Sequence, residues 1–261
     1  GSTALPGNLF SAFEMPTLEM DPSKQLDADP LNDNPFLPFA SLVERRDANG
    51  NLIASSDTET VAAYIRVNSN EHFTIGGTEG NDTIVSGGGD DAIWGKGGND
   101  RIEAGYGVDK VFGGEGDDII TNAGTDIGEA DFLHGNEGND VIHGGSGLSL
   151  IFGNQGADFI VTGPDGKEAF GGTGNDFILG GTGGDFLLGN EGDDWLEGGQ
   201  RFDTLAGENS ELFFNSTIIG HDVMNGGSGD TDYDGESGDD IMFQNSEGIQ
   251  RSNGMAGFDW A

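Results

Sequence analysis

Aspartates stand at positions 82, 91, 100, 109 and 118, one in every ninth place, and each is followed two residues later by Ile84, Ile93, Ile102, Val111 or Ile120. The register resumes at Asp131, Asp140, Asp158, Asp176, Asp185, Asp194 and Asp203, and again at Asp222 and Asp240. A merely solvated acidic face has no reason to hold phase. Carboxylates repeated in register at the ends of glycine-rich segments suit the binding of hard cations. Other chemistry is poorly provided for. The chain has no cysteine, which removes thiolate nucleophiles and sulfur-ligated zinc. His72, His134, His143 and His221 fall on mixed positions of the period, with no metal triad and no nucleophile–base pair. No enzyme is expected.

The composition agrees. A formal charge of −37 on 261 residues argues against nucleic acid or an anionic membrane as partner, since both need a positive surface. Apolar runs such as Phe186–Leu188 and Ile218-Ile219 are far too short to cross a bilayer. The Gly1-Ser2 start, without an initiator Met or a basic-then-apolar leader, reads as a cloned fragment.

The 49 glycines explain what carries the aspartates. In each nonapeptide six residues rich in Gly, Asn and Asp supply the positive φ values of a tight turn, and three more make a minimal strand with one apolar residue at its centre. Turn and strand alternating in an 18-residue coil predict an all-β, right-handed parallel roll of two facing sheets. Its expected inward ladder is Ile84, Ile93, Ile102, Val111, Ile120, Leu133, Ile142, Ile151, Ile160, Ala169, Ile178, Leu187, Leu196, Leu205, Met224 and Met242. The roll is expected over residues 76–243, with insertions near 122–130 and 208–217, an extended capping segment over 1–75, and a degenerate, truncated repeat or cap over 244–261.

These units, for example Gly95-Lys-Gly-Gly-Asn-Asp100-Arg-Ile102-Glu103, resemble the RTX nonapeptide Gly-Gly-x-Gly-x-Asp-x-U-x, known as a calcium-binding β-helix repeat. The downstream texture, Gly192-Asp-Asp-Trp195, Asp234-Gly-Glu-Ser-Gly-Asp-Asp240 and Gly257-Phe-Asp-Trp260, is similar to RTX regions joined to large secreted bacterial haem peroxidases. No haem or peroxidase motif is present, so that likeness implies attachment and not activity. The RTX resemblance implies structural Ca²⁺ between sixth-position aspartates 18 residues apart, with turn carbonyls completing an all-oxygen shell. It also implies type I export of an unfolded chain, folding outside the cell and a far C-terminal secretion signal.

Arithmetic sorts the turns onto two edges. One carries Asp82, Asp100, Asp118, Asp140, Asp158, Asp176, Asp194, Asp222 and Asp240 without a break. The other carries Asp91, Asp109, Asp131, then Ser149 and Lys167 in place of Asp, then Asp185, Asp203 and Thr231. A nearly continuous calcium column is expected on the first edge and an interrupted one on the second. The Lys167 ammonium either takes the place of a missing ion or lies in solvent.

The outward positions are unusually apolar. One sheet is expected to display Trp94, Phe112, His134, Phe152, Phe170 and Leu188, with Phe132, Leu150 and Phe186 beside them, and the other Phe159, Val161, Phe177, Leu179 and Trp195. Such stripes suit contact with a protein, a polymer or ice. Ahead of the roll, Leu42–Ile53 reads as a hairpin about Asn49-Gly50, and Ser56 with Glu59 as a capping box, although Val61–Val67 is equally readable as a strand. The segment is expected to cap the first coil. Asp27-Ala-Asp29 and Asp47-Ala-Asn49 have the opening spacing of an EF-hand but lack its later Gly and Glu, and read as solvated loops.

Overall fold

The computed structural model describes residues 45–46, 52–53, 64–69, 72–122, 130–208, 220–228, 231–235, 238–243 and 250–253. Within them the chain winds as a parallel solenoid. Strands pair not with their sequence neighbours but with the next strand but one, which divides them between a 12-stranded and a 10-stranded sheet. The register is the expected 18 residues: Ile84 lies against Ile102, Ile142 against Ile160, and Trp94 against Phe112. Where the sequence steps by 22, Val111 lies against Leu133, so the extra residues leave the ladder undisturbed.

All sixteen residues of the expected inward ladder are buried, fourteen from Ile84 to Leu205 and then Met224 and Met242. The pleat explains this: three-residue strands such as Arg101–Glu103 can turn only their middle side chain to the opposite sheet. The core extends further than the repeat pattern indicates. Ile65 stacks in register on Ile84, Ile75 on Ile93 and Tyr233 on Leu205, and all three are buried.

Parallel pairing therefore begins at Tyr64–Ser69 and reaches Gln250–Asn253, both beyond the 76–243 span taken from the nonapeptides. The ambiguous Val61–Val67 stretch is strand from Tyr64 onward, because a residue there can place Ile65 on the growing column. Arg45–Arg46 and Leu52–Ile53 pair antiparallel, as the Asn-Gly hairpin requires, and Arg46 pairs with Tyr64 at the edge of the first coil. The hairpin thus covers a sheet edge that would otherwise offer unpaired amides. The Ser56 capping box, Asp27-Ala-Asp29, Asp47-Ala-Asn49, residues 123–129 and 209–219 of the insertions, and Gly257–Ala261 lie outside the described residues.

The outward rings form two files. Trp94, Phe112, His134, Phe152 and Phe170 stack in sequence on one sheet with centroids 4.6 to 5.6 Å apart. Phe159, Phe177 and Trp195 stack on the other at 5.3 and 6.0 Å. Because parallel in-register strands hold neighbouring rings face to face, most of the file is half-buried against itself, and only Phe159 and Trp195 are exposed. Leu188 departs from the expected exposed stripe: it is buried. His134 sits between two phenyl rings, and burial lowers its pKa.

Candidate metal centre

The turns stack coil on coil along both edges, and the repeated aspartates point into the stack. Each of the fourteen is at most 3 % exposed. Their two oxygens do different work. On the first edge the amide of Asp82 donates to Oδ1 of Asp100 at 2.7 Å, that of Asp100 to Asp118 at 2.7 Å, and the relay continues through Asp140, Asp158, Asp176, Asp194 and Asp222 to Asp240. From Asp100 onward one oxygen of every carboxylate on this edge is thus committed to joining successive coils, whereas both oxygens of Asp82 accept from Thr78 of its own turn. Nothing in the residue types announces that division of labour.

The second oxygen is left over. Oδ2 of Asp100, Asp118, Asp140, Asp158, Asp176, Asp194 and Asp222 is buried without a hydrogen-bond partner. A buried charged oxygen in that state costs several kcal/mol unless a cation meets it. Burial accordingly pushes these carboxyls far above the usual range, to about 9 for Asp100, about 8 for Asp176 and Asp222, about 7 for Asp118 and Asp140, and about 6 for Asp158 and Asp194.

What surrounds each leftover oxygen is seen by building a methyl group on the first glycine of the turn. On Gly77, Gly95, Gly113, Gly135, Gly153, Gly171 and Gly189 it would come within 3.0 Å of both the Oδ2 of the same turn and the carbonyl oxygen of the equivalent glycine one coil on. Carboxylate and carbonyl therefore face one small space, and the missing Cβ keeps it open. Oxygens converging in this way suit Ca²⁺, which takes oxygen ligands at about 2.3 to 2.6 Å, better than Mg²⁺, which holds its waters. Among the described residues no three His, Cys, Asp or Glu side chains gather at one point, so any ion here relies mainly on backbone oxygen.

The second edge is built differently. Its turns open with Ser86, Ala104, Asn122, Gly144, Thr162, Gly180, Gly198 and Gly226, so four of the eight carry a side chain where the first edge has none. The Asn122 amide donates to Oδ2 of Asp131, and Ser86 Oγ donates to the Ala104 carbonyl one coil on. Asp91, Asp109 and Asp203 still keep an Oδ2 without a hydrogen-bond partner, and burial raises all three. Asp131 is raised only to about 6, held down by Asn122, Lys167 and Ser149. The period marks all these aspartates alike; the first residue of the turn sets Asp91, Asp109 and Asp131 apart from the first edge, while the turns of Asp185 and Asp203 open on glycine as the first edge does.

The three positions lacking Asp are occupied by protein donors. Ser149 Oγ donates to the Gly144 carbonyl at 3.2 Å. Lys167 is 3 % exposed, not in solvent, and its ammonium donates to the carbonyls of Gly147 and Asp165. Beside Thr231, the Tyr233 hydroxyl accepts from the Gly226 amide at 2.9 Å and donates to the Phe243 carbonyl at 2.8 Å.

The RTX calcium-binding nonapeptide repeat matches in four copies, at residues 74–102, 94–126, 134–165 and 170–208. The repeats over residues 74–208 belong to this RTX family. Their all-strand parallel solenoid is the RTX β-roll, a structural calcium-binding fold and not a catalytic one, and RTX repeats bind multiple Ca²⁺ ions. No curated protein matches the chain. No helix among the described residues is long and apolar enough to cross a membrane.

Proposed function

We propose that Asp82, Asp100, Asp118, Asp140, Asp158, Asp176, Asp194, Asp222 and Asp240 hold a column of structural Ca²⁺ along the first edge. Asp91, Asp109, Asp131, Asp185 and Asp203 serve a shorter, broken row on the second. The observation that carries this reading is the file of buried Oδ2 atoms, each facing a carbonyl of the next coil across a space that glycine leaves open.

The energetics make calcium a condition of folding. One apolar residue in nine buries too little surface to offset the entropy of ordering the rest, several of them glycine. At about ten times its dissociation constant each ion contributes about 1.4 kcal/mol, so on the order of ten ions match the stability of a whole domain. Extracellular calcium modules bind at roughly 10⁻⁴ to 10⁻³ M, well above cytosolic levels. The chain then stays unfolded inside the cell, is exported through a type I channel, folds in extracellular calcium and stabilises or presents an attached domain. The hairpin at Arg45–Arg46 and Leu52–Ile53 caps the roll in this scheme.

Circular dichroism during a calcium titration tests it, with magnesium as control. A cooperative gain of β-structure with calcium alone is expected; full order in excess chelator would end the proposal.

A second reading rests on the ring file. Trp94, Phe112, Phe152 and Phe170, with Phe186 nearby, form a half-buried aromatic strip that suits contact with a partner protein or a flat polymer. Pull-downs and glycan arrays on the calcium-loaded protein distinguish it.

A further inference from the structure

We infer that the Lys167 ammonium is a resident cation of the roll, occupying on the second edge the kind of place that Ca²⁺ takes on the first. The inference rests on the proposed first-edge ion column. It begins from the backbone, where Lys167 stands as an aspartate would: its amide donates to Oδ1 of Asp185 at 2.9 Å, and its carbonyl accepts from the Phe186 amide at 2.8 Å. The onward step of the coil-to-coil relay, to Asp185, is therefore kept at position 167, although the carboxylate that would accept from the coil before is gone.

The side chain then turns into the stack. Its ammonium is held by the Gly147 carbonyl, from the turn one coil earlier, and by the Asp165 carbonyl of its own turn at 3.4 Å. Gly147 and Asp165 are the fourth residues of two successive turns, 18 apart, so the ammonium links stacked turns through backbone oxygen. Burial lowers its pKa, and the charges of Asp165, Asp185 and Asp131 act the other way, in favour of the ammonium. The stem completes the filling: Cε lies 3.2 Å from where a Cβ on Gly144 would be, in the space that the first edge leaves open.

Two more details fit a site given over to an internal cation. Ser149, one coil earlier, replaces the carboxylate that would have added charge, and its hydroxyl bonds its own turn. Thr162 opens the Lys167 turn with a side chain where the first edge has glycine. A lone ammonium carries half the charge of a calcium ion. Unlike calcium, it cannot leave when the free ion falls, so these coils keep their cation in chelator.

Calcium bound per chain, measured by equilibrium dialysis and atomic emission at saturation, tests this with the wild type, Lys167→Asp and Lys167→Met. Lys167→Asp should bind at least one ion more than wild type. Lys167→Met should bind the wild-type number and melt at a lower temperature in saturating calcium. A folded Lys167→Asp with no added ion, or a Lys167→Met that melts as wild type does, overturns the inference. Should Lys167→Asp not fold, amine acylation of the calcium-loaded wild type decides. Lys167 should react about tenfold or more slowly than the partly exposed Lys96 and Lys110, because it must first open; equal rates overturn it. A wild-type chain that takes up no calcium refutes the first-edge column, whereas a wild type that binds calcium beside a Lys167→Asp that gains none refutes only the role of Lys167.

Discussion

Replacing Asp158 by Asn separates a carboxylate that serves an ion from one that is merely buried, because the two cases differ in sign. Asp158 accepts the Asp140 amide on Oδ1 at 2.7 Å, and its Oδ2 has no hydrogen-bond partner. Asn keeps the volume and the Oδ1 acceptor while removing the charge. Without an ion, burial raises the Asp158 pKa from 3.8 to about 6. A carboxyl whose pKa is higher folded than unfolded favours folding least when ionised, so near neutral pH the charge opposes folding by on the order of 2 to 3 kcal/mol. In chelator, then, Asn should help. With calcium at about ten times its dissociation constant, losing one site costs about 1.4 kcal/mol, and about twice that if the ions on either side of the turn share the carboxylate. For a roll of this size one lost site lowers the melting temperature by about 4 °C. The assay is urea or thermal unfolding of Asp158→Asn and wild type in saturating calcium, together with the calcium midpoint by circular dichroism. The midpoint should move to higher calcium and the melting temperature should fall. An Asn variant more stable than wild type in saturating calcium would refute the reasoning.

Gly153→Ala should lose a calcium ion by dialysis, since φ there is not in the left-handed region and the new methyl would enter the space facing Asp158 Oδ2 and the Gly171 carbonyl. Ala104→Gly on the second edge should cost no calcium and, by opening the space beside Asp109, can only add to the count. Acid should order the calcium-free roll: the folded pKa values, about 6 to about 9, all lie above the unfolded value of 3.8, so without calcium stability is greatest below about pH 4 and is lost as pH rises through that range. Circular dichroism in chelator across that range checks the direction, and calcium affinity should fall as the same carboxyls protonate. Phe152→Ser, in the middle of the ring file, should destabilise by about 1 to 2 kcal/mol in urea unfolding at fixed calcium, because it removes the ring stacked on Phe170 and one of the two stacked on His134.

Much of the roll was legible because a solenoid is nearly one-dimensional: a residue's main neighbours lie at one constant offset, so counting in steps of 18 finds them. Counting failed where the chain leaves the nonapeptide pattern but keeps the coil. Tyr64–Ser69 has no Asp-x-U signature, yet Ile65 covers Ile84, and Tyr233 fills a core position that the ladder left out because Thr231 breaks the motif ahead of it. Exposure of the ring stripe was overestimated for a related reason. Alternation shows which way a side chain points, but not that its neighbours in the next coils will cover its faces, as they do for Phe112 and Phe152.

The sequence by itself determined the period, the two edges, the inward column and the carboxylates available to each edge, since these depend only on residue type and phase. Tertiary structure alone decided the division within the first-edge carboxylates from Asp100 to Asp222, where Oδ1 joins coils and Oδ2 is left for a cation, and it carried the Lys167 ammonium to the Gly147 and Asp165 carbonyls. The reason is geometric. Phase places a Cα, but the few ångströms between stacked turns decide which atom of the side chain meets the next coil, and that spacing exists only once the coils have closed on one another.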